Sequence, residues 1–438
     1  MMKIGVVGCG YVFDHYMATL DRHPDLEIGG IADRDAVRLK RATGFYGLPA
    51  YPSVAALLDD PSISIIANFT SIESHYLVTK AALQAGKHVY SEKPLTTDLA
   101  QAEELMRLAD EAGLHLSCAP SNALSDTSLT MWKAVVDGAV GDVRMVYAEF
   151  DDNPIYLMSP DGWRSRSGAP WPYLHEYEMG CTWEHIGYHL AWMCSIFGPV
   201  RSVTAFSKVT VPDKTDQPLD PADTPDFSVA CLDFESGVVG RVTCSIAAPY
   251  DHRMRIIGNK GMIHANTYRH YECPVYLEPF TKLSLNARKS RSVRTKSWVQ
   301  APFGVGGRRV PLASASDGDA PGSRGWKGRW RPRGALQRWK RRELGQQDKM
   351  VGIAELADAV RSGRTPFPGP DFIVHLTELT LAVQRAGPDG ASQTLKSRFT
   401  PVELPAKVTQ TAPDYTRYAQ PGPMARHAGA LLDRMHQH

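Results

Sequence analysis

The sequence predicts an α/β protein in which an N-terminal domain built on a parallel sheet is followed by an α+β domain with a largely antiparallel sheet. Three observations carry this. Over the first 120 residues, short apolar strand runs alternate with helical patterns, as βαβ units do. From about 143 to 258, strand-length runs alternate apolar and polar residues, the mark of a sheet covered on one face. A chain of 438 residues also exceeds what one core serves, so two domains are the natural division.

Residues 3–7 form the first strand run and lead into Gly8-Cys9-Gly10, with Tyr11 and Val12 opening a helical pattern. Strand, glycine turn and helix in that order let backbone N–H groups approach a pyrophosphate at a helix N-terminus. Phe13 stands where a third glycine of G-x-G-x-x-G is expected, so a bulky ring must fit between helix and strand. The second strand, 26–32, ends at Asp33, at the spacing where an acid holds the adenosine ribose hydroxyls. A plainer reading makes Asp33 a helix cap. Arg34 and Arg38 follow and suit a 2′-phosphate, so NAD and NADP both stay open, with Asp33 favouring NAD.

A short helix over 53–59 precedes a third strand, 63–69, whose polar end carries Thr70, Ser71 and His75 into a helix capped by Gly86. His75 reads equally as a packing residue. The next strand, 87–90, delivers Glu92, Lys93 and Pro94 to the sheet's carboxyl edge, where open α/β sheets bind ligands. A desolvated amine there is expected to have a lowered pKa and to trade protons; the plainer reading is an exposed lysine ending a strand. A helix over 99–112 and a strand over 114–119 close the sheet, and Asn122 marks the crossing into the second domain. Residues 1–122 therefore read as a Rossmann dinucleotide-binding domain.

The order of these features, with Ala81 to Val89 (A-A-L-x-A-G-K-H-V) leading to Glu92-Lys93-Pro94, resembles the glucose-fructose oxidoreductase / inositol 2-dehydrogenase (Gfo/Idh/MocA) family. The resemblance spans nearly all of 1–120 and continues more loosely beyond. It implies a nicotinamide-dependent dehydrogenase or reductase acting on a sugar, cyclitol or related alcohol, with Lys93 in the active site. The family's D-x-G-x-H step is matched by His185-Ile186-Gly187-Tyr188-His189, so His189 takes the family histidine's place and His185 the aspartate's, with Glu184 one residue out of register. Read as one helix, this segment puts His185 and His189 on a common face, as a proton-handling pair or as packing histidines. Gly162-Trp163-Arg164 looks like the tryptophan-arginine step that relatives place near the nicotinamide.

Composition narrows the alternatives. A net charge of +2 argues against a general nucleic-acid binder, and no apolar run approaches the roughly 20 residues of a membrane span. Seven scattered cysteines, without a C-x-x-C pair, fit a reducing compartment and offer no zinc or disulfide framework; no resident metal is expected. The N-terminus lacks signal-peptide character, so a cytoplasmic location is expected. Residues 123–400 read as a substrate-binding and oligomerisation domain, interrupted at about 280–345 by a basic stretch rich in Trp and Arg, and 401–438 as an extended tail. The expected assembly is a homo-oligomer, dimer or tetramer, acting on a small sugar-like substrate. Two other functions fit the same features: a glycoside-cleaving enzyme that oxidises its sugar transiently, and a non-catalytic NAD(H)-binding regulator.

Overall fold

The computed structural model describes residues 1–266, 271–313 and 347–435. Five parallel strands, β1 (Met2–Val7), β2 (Leu26–Ala32), β3 (Ile65–Asn68), β4 (His88–Ser91) and β5 (Leu116–Cys118), form a sheet of order β2-β1-β3-β4-β5. The strands are buried on both faces because helices cover both. Ile4, Val6, Ile65 and Ala67 face one layer, with Phe13 and Tyr16, while Val7, Ile66 and Val89 face the other, with Leu83 and Leu105. The chain leaves β1 for β2 on one side and then for β3 on the other, so the topological switch point lies between β1 and β3. Ligands of open α/β sheets bind in that crevice. Register sharpens the point: Val7 pairs with Ala32 and Asn68, Asn68 with Ser91, and Ser91 with Cys118. Gly8, Asp33, Phe69, Glu92 and Ala119 are thereby set along one carboxyl edge.

The connecting helices are α1 (Tyr11–Met17), α2 (Ala36–Tyr46), α3 (Val54–Leu58), α4 (Ile72–Gln84) and α5 (Leu99–Glu111). Ser53 caps α3 through its side chain, and Asp98 caps α5, each accepting from a backbone N–H of the first turn.

The second domain holds a nine-stranded sheet: β6 (Val143–Asp151), β7 (Val200–Lys208), β8 (Phe227–Phe234), β9 (Val239–Ser245), β10 (Met254–Gly258), β11 (Gly261–Ala265), β12 (Val275–Pro279), β13 (Arg308–Val310) and β14 (Ala391–Thr394). Its order is β13-β12-β11-β10-β6-β9-β8-β7-β14, antiparallel except for β6 beside β9. Burial alternates along β6 to β9 as the sequence pattern predicts. The covered face packs on α6 (Asp126–Val136), α8 (Gly187–Phe197) and the helix Pro370–Gln384.

Three expectations are corrected. The segment around 179–197 is not one helix: α7 (Tyr173–Met179) stops at Gly180, and a π turn over Thr182–Ile186 precedes α8. Gly180 has φ +85°, and a Cβ there would lie 2.7 Å from the Pro225 carbonyl oxygen, so neither the helix nor another residue continues through it. The helix Met350–Ser362 returns to the first domain, where Met350, Ile353 and Leu356 join the core over Ile4 and Val6. The tail is not extended. Tyr415 is fully buried, its hydroxyl donating to the Pro311 carbonyl (2.9 Å) and its backbone N–H to Asp137 (2.9 Å), and helices Ala406–Thr411 and Pro423–Met435 follow the chain's own surface. The second half of the basic stretch, 314–346, lies outside the described residues.

Candidate active site

The glycine turn has the shape a pyrophosphate needs. Gly8 adopts φ +97°, and a Cβ on it would stand 2.6 Å from the Phe69 carbonyl oxygen, so only glycine fits. At Gly10 the opposite holds: among the described residues no atom lies within 4 Å of a Cβ built there, and no side chain caps α1. The N–H groups of Tyr11 and Val12 therefore begin the helix beside open space. Phe13 replaces the third glycine by turning fully into the core, edge-on to Tyr46 at 5.5 Å. Asp33 Oδ2 accepts from the Cys9 N–H (2.7 Å) and Oδ1 from the Asp35 N–H (2.8 Å). This ties the carboxylate to the glycine turn and leaves lone pairs for ribose hydroxyls. Arg34 is exposed, Arg38 pairs with Asp35, and Arg41, unnoticed in the sequence, donates to the Cys9 carbonyl at 2.8 Å.

Thr70 and Ser71 lie at the β3 edge, where the Thr70 hydroxyl donates to buried Asn68 (2.7 Å) and Ser71 is exposed. His75 is buried, with Nδ1 2.7 Å from the Pro94 carbonyl and Nε2 3.1 Å from that of Thr70. Burial lowers its pKa, and the neutral ring has one N–H to give, the nearer acceptor being the Pro94 carbonyl of the Glu92-Lys93-Pro94 turn. Asn122 is buried too, its Nδ2 donating to the Tyr188 carbonyl (2.8 Å), while its Oδ1 has no hydrogen-bond partner among the described residues.

Trp163 packs on Trp171 at 4.8 Å, and exposed Arg164 donates to the carbonyls of Asp161 (2.7 Å) and Trp163 (2.8 Å). The loop that carries them is fastened to α1. Asp14 accepts from the Ser165 hydroxyl, the Ser167 N–H (2.9 Å) and hydroxyl (2.7 Å), and the Tyr46 hydroxyl (2.6 Å). Burial opposes its charge, but these donors outweigh burial and hold the Asp14 pKa down.

Across the crevice, Lys93 Nζ forms an ion pair with Glu184, the two side chains being 13% and 14% exposed. Here the π turn matters. Its extra residue per turn brings Glu184 round to the lysine, so a carboxylate reaches Lys93 although the sequence match had placed His185 there. Burial works against the Lys93 charge, yet Glu184 and the neighbouring acids dominate and raise its pKa. The sequence expectation of a lowered pKa is corrected: Lys93 is an ammonium at neutral pH. Glu92 accepts the Lys93 N–H on Oε2 (3.0 Å), and on Oε1 the Tyr16 hydroxyl (2.9 Å) and Lys349 Nζ (2.9 Å). Against the cost of burial, Lys349 and Lys93 bring its pKa down to about 2. Lys349, which also lies 3.3 Å from the Tyr188 hydroxyl, arrives just before the helix Met350–Ser362.

The two helix histidines take different polar partners. His185 Nε2 meets Glu176, its Nδ1 lies 4.0 Å from Asp152, and its ring stacks on Phe150 at 4.9 Å. His189 is fully buried: Nε2 lies 2.6 Å from the Glu149 carbonyl and Nδ1 accepts from Trp192 Nε1 at 3.1 Å. That pair of contacts fixes one neutral tautomer, and burial takes its pKa down to about 3. Both rings pack against Phe150 as a shared face predicts, His185 stacked on it and His189 edge-on at 5.8 Å, but their nitrogens meet different partners. Lys93, Glu184, Glu176 and His185 share the cleft region, and His189 belongs to the second domain's core.

Comparison with known proteins agrees with this architecture. Residues 2–119 match the profile of the oxidoreductase family with an NAD-binding Rossmann fold, and 128–264 match the GFO/IDH/MocA C-terminal domain. The chain belongs to the Gfo/Idh/MocA family of NAD(P)-dependent oxidoreductases. Among curated relatives, trans-1,2-dihydrobenzene-1,2-diol dehydrogenase of Macaca fuscata fuscata is 25% identical over 264 residues, 60% of this chain and 73% of that one. Myo-inositol 2-dehydrogenase of Thermotoga maritima is 26% identical over 273 residues, 61% of this chain and 76% of the other. Of solved structures, the WlbA dehydrogenase from Bordetella pertussis, in complex with NADH and UDP-GlcNAcA, superposes with TM-score 0.62 at 18% identity, covering 90% of this chain and 98% of that one. Aldose-aldose oxidoreductase from Caulobacter crescentus gives TM-score 0.64 at 19% identity, covering 90% and 99%.

Proposed function

We propose that this chain exchanges hydride between NAD and a hydroxyl or keto carbon of a sugar, cyclitol or sugar derivative, in the cleft beside Lys93. The observation that carries this reading is the Lys93–Glu184 ion pair, largely withdrawn from water on the sheet edge that also bears the glycine turn and Asp33. The dinucleotide supplies the hydride exchange at its nicotinamide ring. The chain's residues bind it and manage the proton. Gly8, Gly10, Tyr11 and Val12 cradle the pyrophosphate; Asp33 takes the ribose hydroxyls and favours NAD over NADP. Thr70, Ser71, Glu92, Pro94, Asn122, Trp163 and Arg164 line the path toward the nicotinamide, with Arg34 at the adenosine end and His75 bracing the Glu92-Lys93-Pro94 turn.

Lys93, as an ammonium, donates to the substrate oxygen: it protonates a carbonyl on reduction and stabilises the nascent alkoxide on oxidation. Glu184 holds that charge in place. His185, oriented by Glu176, turns toward the same substrate's hydroxyls. His189 acts through packing only. The names of the dihydrodiol and inositol dehydrogenases among its relatives support a cyclic vicinal alcohol as substrate. The free thiols of all seven cysteines support a cytoplasmic location. On the open face of the second sheet, Met145 and Val239 are 36% and 51% exposed, which supports pairing of that face with a second copy. The experiment is a panel of cyclitols, sugars and nucleotide sugars with NAD+, followed at the reduced-nicotinamide absorbance band. Turnover by the wild type that Lys93→Ala abolishes supports the reading; equal turnover by both removes Lys93 from the chemistry.

A further inference from the structure

Oxidation of an alcohol removes a hydride and a proton, and the groups nearest the reaction, Lys93 and Glu184, are mostly shut off from water. A row of titratable side chains leads outward from them. Glu184 Oε1 lies 4.0 Å from His175 Nδ1, and His175 Nε2 forms a direct hydrogen bond with Glu73. Exposure rises along the row: 13% at Lys93, 14% at Glu184, 24% at His175 and 59% at Glu73. Each member comes from a different element. Lys93 follows β4, Glu184 sits in the π turn, His175 in α7 and Glu73 in the first turn of α4. Neither His175 nor Glu73 is needed to hold the dinucleotide or the substrate as described above.

We propose that His175 and Glu73 are the proton exit of this active site, linking the Lys93–Glu184 pair to bulk water. The inference rests on the dehydrogenase reading of Lys93. In the oxidising direction the substrate O–H bond breaks and an N–H bond forms on Lys93, while another Lys93 proton passes to Glu184. A carboxyl rotation carries that proton to His175 Nδ1, closing the 4.0 Å gap, and His175 releases one from Nε2 to Glu73 and water. One proton leaves per hydride given to NAD+, and reduction runs the row inward. An imidazole suits the middle position because it accepts on one nitrogen as it donates from the other.

The test uses the full-length enzyme with NAD+ and myo-inositol. His175→Gln keeps a polar side chain in α7 but cannot shuttle. It is expected to lower kcat about tenfold or more, with KM and NADH affinity within about twofold, and added imidazole should restore the rate in a saturable way. Lys93→Ala should not respond to imidazole. A His175→Gln enzyme with wild-type kcat, or a slowed one indifferent to imidazole, overturns the relay. Failure of the dehydrogenase reading looks different, because Lys93→Ala then matches the wild type. A second measurement needs no turnover. The charged groups that meet His175 are Glu73 from α4 and Glu184 from the π turn, with Lys93 behind Glu184. Lys93→Met leaves Glu184 uncompensated, so the NMR titration midpoint of His175 should rise by about 0.5 pH unit or more. An unmoved midpoint breaks the row at Glu184 and overturns the proposal.

Discussion

The ammonium of Lys93 and the carboxylate of Glu184 meet directly across the interdomain cleft, although 91 positions separate them in the chain. The pair decides the protonation state of the site. Glu184 keeps Lys93 charged against burial, so Glu184→Gln should let the lysine lose its proton at lower pH. The rate of ketone reduction, which needs the ammonium, should then fall at a pH about one unit or more lower than in the wild type. A pH–kcat profile of the two proteins checks this; coincident alkaline limbs would show that Glu184 does not tune Lys93.

Two glycines of one turn make opposite predictions. Gly10→Ala meets no atom of the described residues, so the fold should keep its melting temperature while the new methyl group occupies the space a pyrophosphate needs. NADH affinity should drop about tenfold or more by fluorescence titration. Gly8→Ala, forced to φ +97° and against the Phe69 carbonyl, should lose about 1–3 kcal/mol of stability as well as binding. A Gly10→Ala protein that binds NADH normally would place the pyrophosphate elsewhere.

Asp33 should set the choice of dinucleotide. Its carboxylate, fixed by the N–H groups of Cys9 and Asp35, repels a 2′-phosphate and accepts ribose hydroxyls. The wild type should bind NADH more tightly than NADPH, and Asp33→Ala should lose ~10- to 100-fold in NADH affinity, the worth of charged hydrogen bonds. Tighter NADPH binding by the wild type would assign the site to Arg34 and Arg38 instead.

Much of this site was legible in the sequence, for a physical reason. Strand register in a parallel sheet lines up the residues that follow each strand, so Gly8, Asp33, Thr70 and Lys93 fall on one edge once the strands are located. What was not legible depends on departures from regular periodicity or on distant returns of the chain. A helical period of 3.6 puts 185 and 189 together, and both do meet Phe150; what that period does not show is the π turn and the Glu184 it carries to Lys93. Gly180, ahead of the turn, was the one local sign that the helix breaks there. Lys349 reaches Glu92 from 257 positions away, behind a stretch whose composition gave no hint of its return. The lysine pKa was misjudged for the same reason: burial was foreseen, but not the carboxylate that outweighs it.

His189 provides the sharpest separation of sequence match from structure. Its ring accepts from Trp192 and donates to the Glu149 carbonyl, so it has no nitrogen left for a substrate proton. His189→Gln, which keeps a donor and an acceptor, should leave kcat within about threefold. Its effect should appear in stability instead. The native pKa, down to about 3, lies below the ordinary value of 6.5, so between those limits the unfolded chain binds a proton that the folded one refuses. The wild type therefore loses stability as pH falls from 6.5 toward 3, by about 2 kcal/mol from this residue at pH 5. His75 and His375 are lowered too and act in the same direction, so His189→Gln should reduce the slope of unfolding free energy against pH rather than abolish it. Urea unfolding at pH 7 and pH 5 measures the difference between the two proteins. If His189→Gln instead loses turnover while its unfolding curves keep the wild-type pH slope, the imidazole belongs to the proton path and its burial opens during catalysis.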